Sequence, residues 1–207
     1  MQTVSTLALL ASASALVAPL APSTKAAPLG AASMNKNEFA YGLPGNMIPG
    51  VPASRFDFDP LGFAERASPA EMIKYREAEL KHGRMCMLAT IGMVVPAFVR
   101  VPGEQFQGSY IGWEAHDRLV ASGALGQILL FVGLFETLAG IPAVVATMNG
   151  EREAGDFDFG GTFKPTDPAE LRRKQTAELK NGRLAMLAFS GQVTQAALTH
   201  HDAPFLW

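Results

Sequence analysis

One cysteine, Cys86, stands in the whole chain, so neither an intrachain disulfide nor a multi-cysteine zinc or iron–sulfur centre can be built. It lies in the apolar run MCML and reads as a small buried hydrophobe. Charge is scarce as well, at 17% of 207 residues against 48% hydrophobic. The 17 Lys and Arg are outnumbered by 19 Asp and Glu, which excludes a broad basic surface for nucleic acid. No Gly-rich phosphate loop and no nucleophile elbow occurs, and Cys86 has no base beside it in the chain, so enzyme chemistry finds no foothold. What remains is an apolar chain of single-domain length, whose mean hydropathy of +0.14 points to a membrane as its solvent.

Lys and Arg are also missing ahead of Lys25, so the basic n-region of an ordinary secretory signal is absent. Residues 4–18 (VSTLALLASASALVA) are nonetheless apolar and small, with an A-x-A-like site, and too short to span a bilayer. An Ala-, Ser- and Pro-rich stretch without acids follows, in the manner of a transit peptide. Residues 1–33 therefore read as a two-step presequence for a plastid bounded by extra membranes. Prolines beside Gly and Asp turns predict an extended segment over 34–68, ahead of a helical domain over 69–207.

Ser68-Pro69-Ala70-Glu71 combines an N-cap, a proline at the first helical position and an acid in the first turn, predicting a helix over about 69–99. Asp167-Pro168-Ala169-Glu170 predicts another over about 168–199. Between them, a third helix is expected over about 119–148, where Glu136 is the only charged residue. Its thirty residues reach about 45 Å, enough to cross a hydrocarbon core of about 30 Å. The expectation is an all-α membrane protein with three transmembrane helices. The flanking apolar runs, 85–99 and 184–199, are only fifteen and sixteen residues long, short of the roughly 20 needed. Extending them backward places AELKHGR and AELKNGR at membrane depth, where ionisable groups are functional by default.

The two segments belong to an internal repeat: 57–89 aligns with 156–188 at a constant offset of 99, with 16 of 33 pairs identical. Both copies run the same way through the membrane, which predicts two helices related by a pseudo-two-fold axis along its normal and crossing closely at Gly83 and Gly182. On a helix Glu79 and His82 lie about 60° apart on one face, and Arg84 about 140° round from Glu79. Arg84 then reaches Glu178 across the crossing, and Arg183 reaches Glu79, so each buried charge finds an opposite one. Each carboxylate keeps an oxygen for a Lewis acid, with His82 or Asn181 a second neutral donor one turn away. Three readings meet here. Glu79-x-x-His82 is half of a carboxylate-bridged di-iron motif, as in a membrane oxidase, although Asn181 replaces the imidazole in the second copy. The pairs could serve as helix locks alone. The third reading hangs magnesium tetrapyrroles axially from the helices.

With AELKHGRMCML and AELKNGRLAML quoted, the chain resembles the light-harvesting chlorophyll-binding protein family, three-helix antennae of thylakoid membranes, over about 56–195. The resemblance implies that Glu79 and Glu178 ligate chlorophyll magnesium while paired with Arg183 and Arg84, and that His82 and Asn181 each ligate a further chlorophyll. Gln195 lies seventeen residues after Glu178, about 25 Å along the axis, and would hold a chlorophyll in the other leaflet. Pro96 takes that place in the first helix. Glu136 matches the acidic ligand of the middle helix, and Gln127, nine residues earlier, fits the fucoxanthin or peridinin chlorophyll a/c antennae of red-lineage algae better than the green type, with a packed glutamine as its alternative. The implied cofactors are chlorophyll a, chlorophyll c and carotenoids of fucoxanthin or peridinin type. The implied partners are a photosystem core, neighbouring antenna subunits and thylakoid lipids. The implied role is excitation transfer, with a photoprotective, energy-dissipating member as the runner-up. His116, His200 and His201 read as solvated. Lys74, Arg76, Lys81, Arg84, Arg152, Lys164, Arg172, Arg173 and Lys174 on one side, against Arg100 and Arg118 on the other, predict a stromal N-terminus and a lumenal C-terminus.

Overall fold

The structure, a computed structural model, describes residues 34–35, 37–46, 57–100, 102, 112–157 and 164–201. The presequence expected over 1–33 lies outside them, as does the chain end from Asp202. Among the described residues all regular structure is helical. The first pieces are short: a 3₁₀ turn, Phe39–Gly42, and α1, Phe63–Arg66. The Tyr41 hydroxyl donates to the Ala67 carbonyl at 2.7 Å, fastening the turn to the entrance of the next helix. Asp59 caps α1 by accepting from the Phe63 and Ala64 N–H groups at 2.9 and 2.7 Å. Desolvation pushes its carboxyl up, but the backbone N–H groups from Gly62 to Glu65 outweigh this and hold it below its ordinary value.

α2, Pro69–Phe98, starts with a complete capping box: the Ser68 hydroxyl accepts from the Glu71 N–H at 3.4 Å, and the Ser68 N–H donates to Glu71 Oε2 at 2.8 Å. α5, Pro168–Thr199, is capped by Asp167, which accepts from the Ala169 and Glu170 N–H groups at 3.3 and 3.4 Å. The middle region departs from the single helix expected over 119–148. It begins earlier, as α3, Gly112–Ala121, and breaks at Ser122-Gly123, where Gly123 adopts φ 79°. α4, Ala124–Asn149, then runs on with a π turn at Glu136–Gly140, in which the Ile141 N–H donates to the Glu136 carbonyl. Pro142 follows at once, and its ring and missing N–H oppose an ordinary α turn onto Leu138.

Among the described residues α4 alone, at 26 residues, is long and apolar enough to cross a membrane by length and composition, with a mean hydropathy of 2.2 over its most apolar 18 residues. α2 and α5 are longer, at 30 and 32 residues, but each carries charge along its first half. They make the principal contact of the fold. A Cβ on Gly83 would lie 3.0 Å from Gly182 Cα, and one on Gly182 would lie 3.1 Å from Gly83 Cα, so only glycine admits this approach. The end of α4 packs on α2, and α3 touches α5. The buried apolar set is small, including Met72, Ile73, Leu80, Leu179 and Ala185 near the crossing, while Leu88, Leu130, Leu187 and Leu198 are 68–77% exposed. Charge inside and leucine outside suits hydrocarbon or bound apolar groups, not water.

Candidate functional site

The site grows from the glycine crossing. Because the two backbones touch there, an arginine one residue beyond each glycine reaches the other helix within one turn. Arg84 Nε donates to Glu178 Oε1 at 2.7 Å, and Arg183 Nε donates to Glu79 Oε1 at 2.7 Å. Each arginine then takes a loop carbonyl: Arg84 Nη1 donates to Gly155 O at 2.8 Å, and Arg183 Nη1 to Gly45 O at 2.7 Å. The crossing, the segment ahead of α1 and the loop after α4 are thereby held by two reciprocal knots. Gly155 has φ 76°, and a Cβ there would meet Leu80 Cδ1 at 2.5 Å, so the loop approaches this closely only as glycine.

The pairs leave donors over. Glu178 has no protein partner at Oε2 among the described residues, whereas Glu79 Oε2 lies 3.2 Å from Arg76 Nη1. His82 is exposed, with Nδ1 at 2.8 Å from the Ala78 carbonyl. A neutral ring donating there keeps Nε2 as an outward lone pair. Asn181 and Gln195 are exposed on α5, and Gln127 is exposed on α4. Glu136 is half-buried and accepts from Lys81 Nζ at 2.5 Å. The structure thus brings Glu79 to Arg183 and Glu178 to Arg84, and leaves His82, Asn181, Gln195 and Gln127 exposed on their helices. His116 faces Asp117 Oδ1 at 3.0 Å on the exterior.

Among the described residues no three His, Cys, Asp or Glu side chains stand close enough to share one ion. Among the described residues a carboxylate-bridged iron pair therefore finds no donor set, and the neighbours of Glu79 are Arg183 and Arg76. Single axial donors beside exposed apolar residues such as Met85, Leu88, Leu184 and Leu187 fit instead a flat apolar group whose metal needs one protein ligand.

Sequence reasoning missed a third knot, more deeply buried than the two at the crossing. Glu77, 5% exposed, accepts from Arg152 Nη2 at 2.8 Å, from the Gly155 N–H at 2.7 Å and from the Thr147 hydroxyl at 3.4 Å. Arg152 also donates to Thr147 Oγ1 at 2.9 Å and to the Asp156 carbonyl at 2.7 Å, and its guanidinium lies 4.7 Å over the Phe157 ring. A signal for it exists in the repeat: Arg76-Glu77 of the first copy become Gln175-Thr176 in the second, although the Ala-Glu-Leu-Lys that follows is kept in both. The partnership of Lys81 with Glu136 was missed as well.

The sequence model of the family described as chlorophyll A-B binding protein matches residues 41–197, which include both knots of the crossing. A chloroplastic fucoxanthin-chlorophyll a-c binding protein of Chattonella marina var. antiqua is 36% identical over 196 residues, covering 91% of this chain and 84% of that protein. Its counterpart from Isochrysis galbana is 35% identical over 181 residues, 79% of this chain and 80% of that one. The chloroplastic light-harvesting complex stress-related protein 3.2 of Chlamydomonas reinhardtii is 36% identical over 169 residues, 72% of this chain and 62% of its own length. A family model that matches most of the chain, together with a relative 36% identical over 91% of it, means that this protein belongs to the light-harvesting, chlorophyll-binding family of chlorophyll A-B binding proteins.

Proposed function

We propose that the protein is an antenna subunit of the plastid thylakoid membrane, binding chlorophyll a, chlorophyll c and carotenoids of the fucoxanthin or peridinin type. In this reading it passes excitation to a photosystem core and to neighbouring antenna subunits among thylakoid lipids. Residues 1–33 are removed on import, 34–68 lie on the stromal side, and 69–207 form the pigment domain. α2, α4 and α5 each cross the membrane, the first and third related by a pseudo-two-fold axis, with the C-terminus in the lumen.

The observation that carries the reading is the pair of reciprocal Arg–Glu contacts, which neutralise two carboxylates and leave Glu178 Oε2 without a protein partner among the described residues. Chlorophyll, when bound, supplies the light absorption and a magnesium ion that takes one axial donor. The chain supplies position. Glu79, Glu178 and Glu136 offer charge-compensated oxygens; His82, Asn181, Gln195 and Gln127 offer neutral ones. A charge-compensated carboxylate and a neutral amide impose different local fields, so ligand type tunes each pigment as well as holding it. The exposed leucines of α2, α4 and α5 face lipid or pigment rings and tails.

A photoprotective role is the second reading, favoured by the stress-related relative, whose 36% identity equals that of the fucoxanthin-chlorophyll relative. One absorption and fluorescence experiment on the purified pigment–protein tests both. Chlorophyll c and a red-lineage carotenoid, with a fluorescence lifetime unchanged by acidification, are the antenna result. Chlorophyll b in place of c would remove the pigment assignment, and a lifetime that shortens in acid would favour dissipation.

A further inference from the structure

α4 raises an electrostatic problem that α2 and α5 do not have. Glu136 is the only charged residue between Ala124 and Asn149, so its own helix offers no cation to neutralise it. A lone carboxylate in an apolar span is costly, and a metal ligand that stayed protonated would be a poor one. The answer in the structure comes from another helix. Lys81 of α2 places Nζ 2.5 Å from Glu136 Oε2, with both side chains 38% exposed, and Oε1 has no protein partner among the described residues.

The backbone of α4 is shaped for this contact. The π turn begins at Glu136 itself and ends at Gly140, which is buried. A Cβ on Gly140 would stand 2.2 Å from Glu136 Oε2 and 2.8 Å from its Cδ, so the carboxylate lies folded over a residue that has no side chain. The lysine is not there for the crossing, because Lys180, its mate in the repeat, makes no ion pair among the described residues. Lys81–Glu136 therefore repeats, between α2 and α4, the arrangement of Arg84–Glu178: a cation from the neighbouring helix takes one oxygen and leaves the other, whereas at Glu79 Arg183 takes one oxygen and Arg76 faces the second.

We infer that Lys81 is the positioning counter-ion that makes Glu136 a competent magnesium ligand, with Gly140 as the space into which the carboxylate folds. The inference rests on the reading of Glu136 as a chlorophyll ligand, and its test separates the two. The protein and its variants are refolded with chlorophyll a and carotenoid, and bound chlorophyll per chain and the visible circular dichroism are read. Glu136→Leu should lose one chlorophyll; full retention would remove the ligand reading, and the inference with it.

Lys81→Met should lose the same chlorophyll, giving the same difference spectrum as Glu136→Leu, and the two changes together should lose no more than either alone. Lys81→Arg should keep it. The decisive variant is Lys81→Met with Glu136→Gln, because a neutral amide ligand needs no counter-charge: the lost chlorophyll and its dichroic band should return. If Lys81→Met retains full stoichiometry while Glu136→Leu does not, the ligand stands and the counter-ion role falls. Failure of the Lys81→Met, Glu136→Gln protein to regain the pigment, or to assemble at all, would show the lysine to be a mere tie between helices and would equally overturn the inference.

Discussion

α2 and α5 start from nearly the same sequence and finish in different surroundings. What they share makes the crossing: the glycines that touch, the arginines that reach over, and the glutamates that receive them. Where they differ, each is fitted to its own neighbours. α2 has Arg76 and Glu77 where α5 has Gln175 and Thr176, and it is α2 that is tied to the loop after α4 through Glu77 and to α4 itself through Lys81. α5 carries Gln195 where α2 carries Pro96. The duplicated segment thus keeps Glu79, Gly83 and Arg84, whose partners lie in the other copy, and changes Glu77, whose partners lie elsewhere, while Lys81 is kept as Lys180 but finds its partner Glu136 only from α2.

The comparison is broken hardest at the glycines. Gly83→Leu and Gly182→Leu should each abolish pigmented refolding, because each new side chain starts about 3 Å from the facing backbone, which cannot give way as a side chain can. Equal damage is expected from the reciprocal contact. If one substitution is tolerated in a refolding yield assay, the two helices do not share the crossing evenly.

Next come the charges. Glu178→Leu strands Arg84 at a cost of about 3–5 kcal/mol. Glu79→Leu should be worse, since Arg76 and Arg183 both face Glu79. Glu178→Leu with Arg84→Leu should recover most of the lost thermal stability, while Glu79→Leu with Arg183→Leu should recover less until Arg76→Gln is added. A better rescue by Glu79→Leu with Arg84→Leu, a pair on one helix, would contradict the crossed arrangement.

A smaller effect is expected at the knot that only α2 makes. Glu77→Gln keeps the shape but removes the charge facing Arg152, at about 1–3 kcal/mol, whereas Thr176→Val at the matching place in α5 should stay within about 0.5 kcal/mol. Melting followed by visible circular dichroism measures both, and equal shifts would mean that the asymmetry has no energetic content. The smallest change in stability belongs to the neutral donors. His82→Leu and Asn181→Leu should each lose one chlorophyll and keep a folded protein, because no buried charge is stranded. Unchanged stoichiometry in both would end their ligand roles.

The legible part of this protein is the part written locally or written twice. Ser68 and Asp167 announce the starts of α2 and α5, because a cap is a contact among residues three apart or fewer in the chain. The offset of 99 makes Glu79, Arg84, Glu178 and Arg183 one constellation before any coordinates exist, since both signs of charge recur around a pair of glycines that can bring the two helices together. The break at Gly123 and the π turn before Pro142 were less visible, because an apolar run looks alike whether its hydrogen bonds skip four residues or five.

By itself, then, the amino-acid sequence determined three long helical stretches, a repeated charged motif in two of them, and membership of a pigment-binding family. Tertiary structure alone decided the partners at long range: Lys81 with Glu136, Glu77 with Arg152 and the Gly155 N–H, and the carbonyls of Gly45 and Gly155 behind the two crossing arginines. The reason is physical. Helix periodicity fixes the face on which a charge lies, but the choice of partner depends on how closely two helices approach and where a loop of 70 or more residues' separation returns, as between Glu77 and the Arg152 guanidinium 75 residues on. That approach is set by glycine contacts and loop conformations that no local pattern encodes.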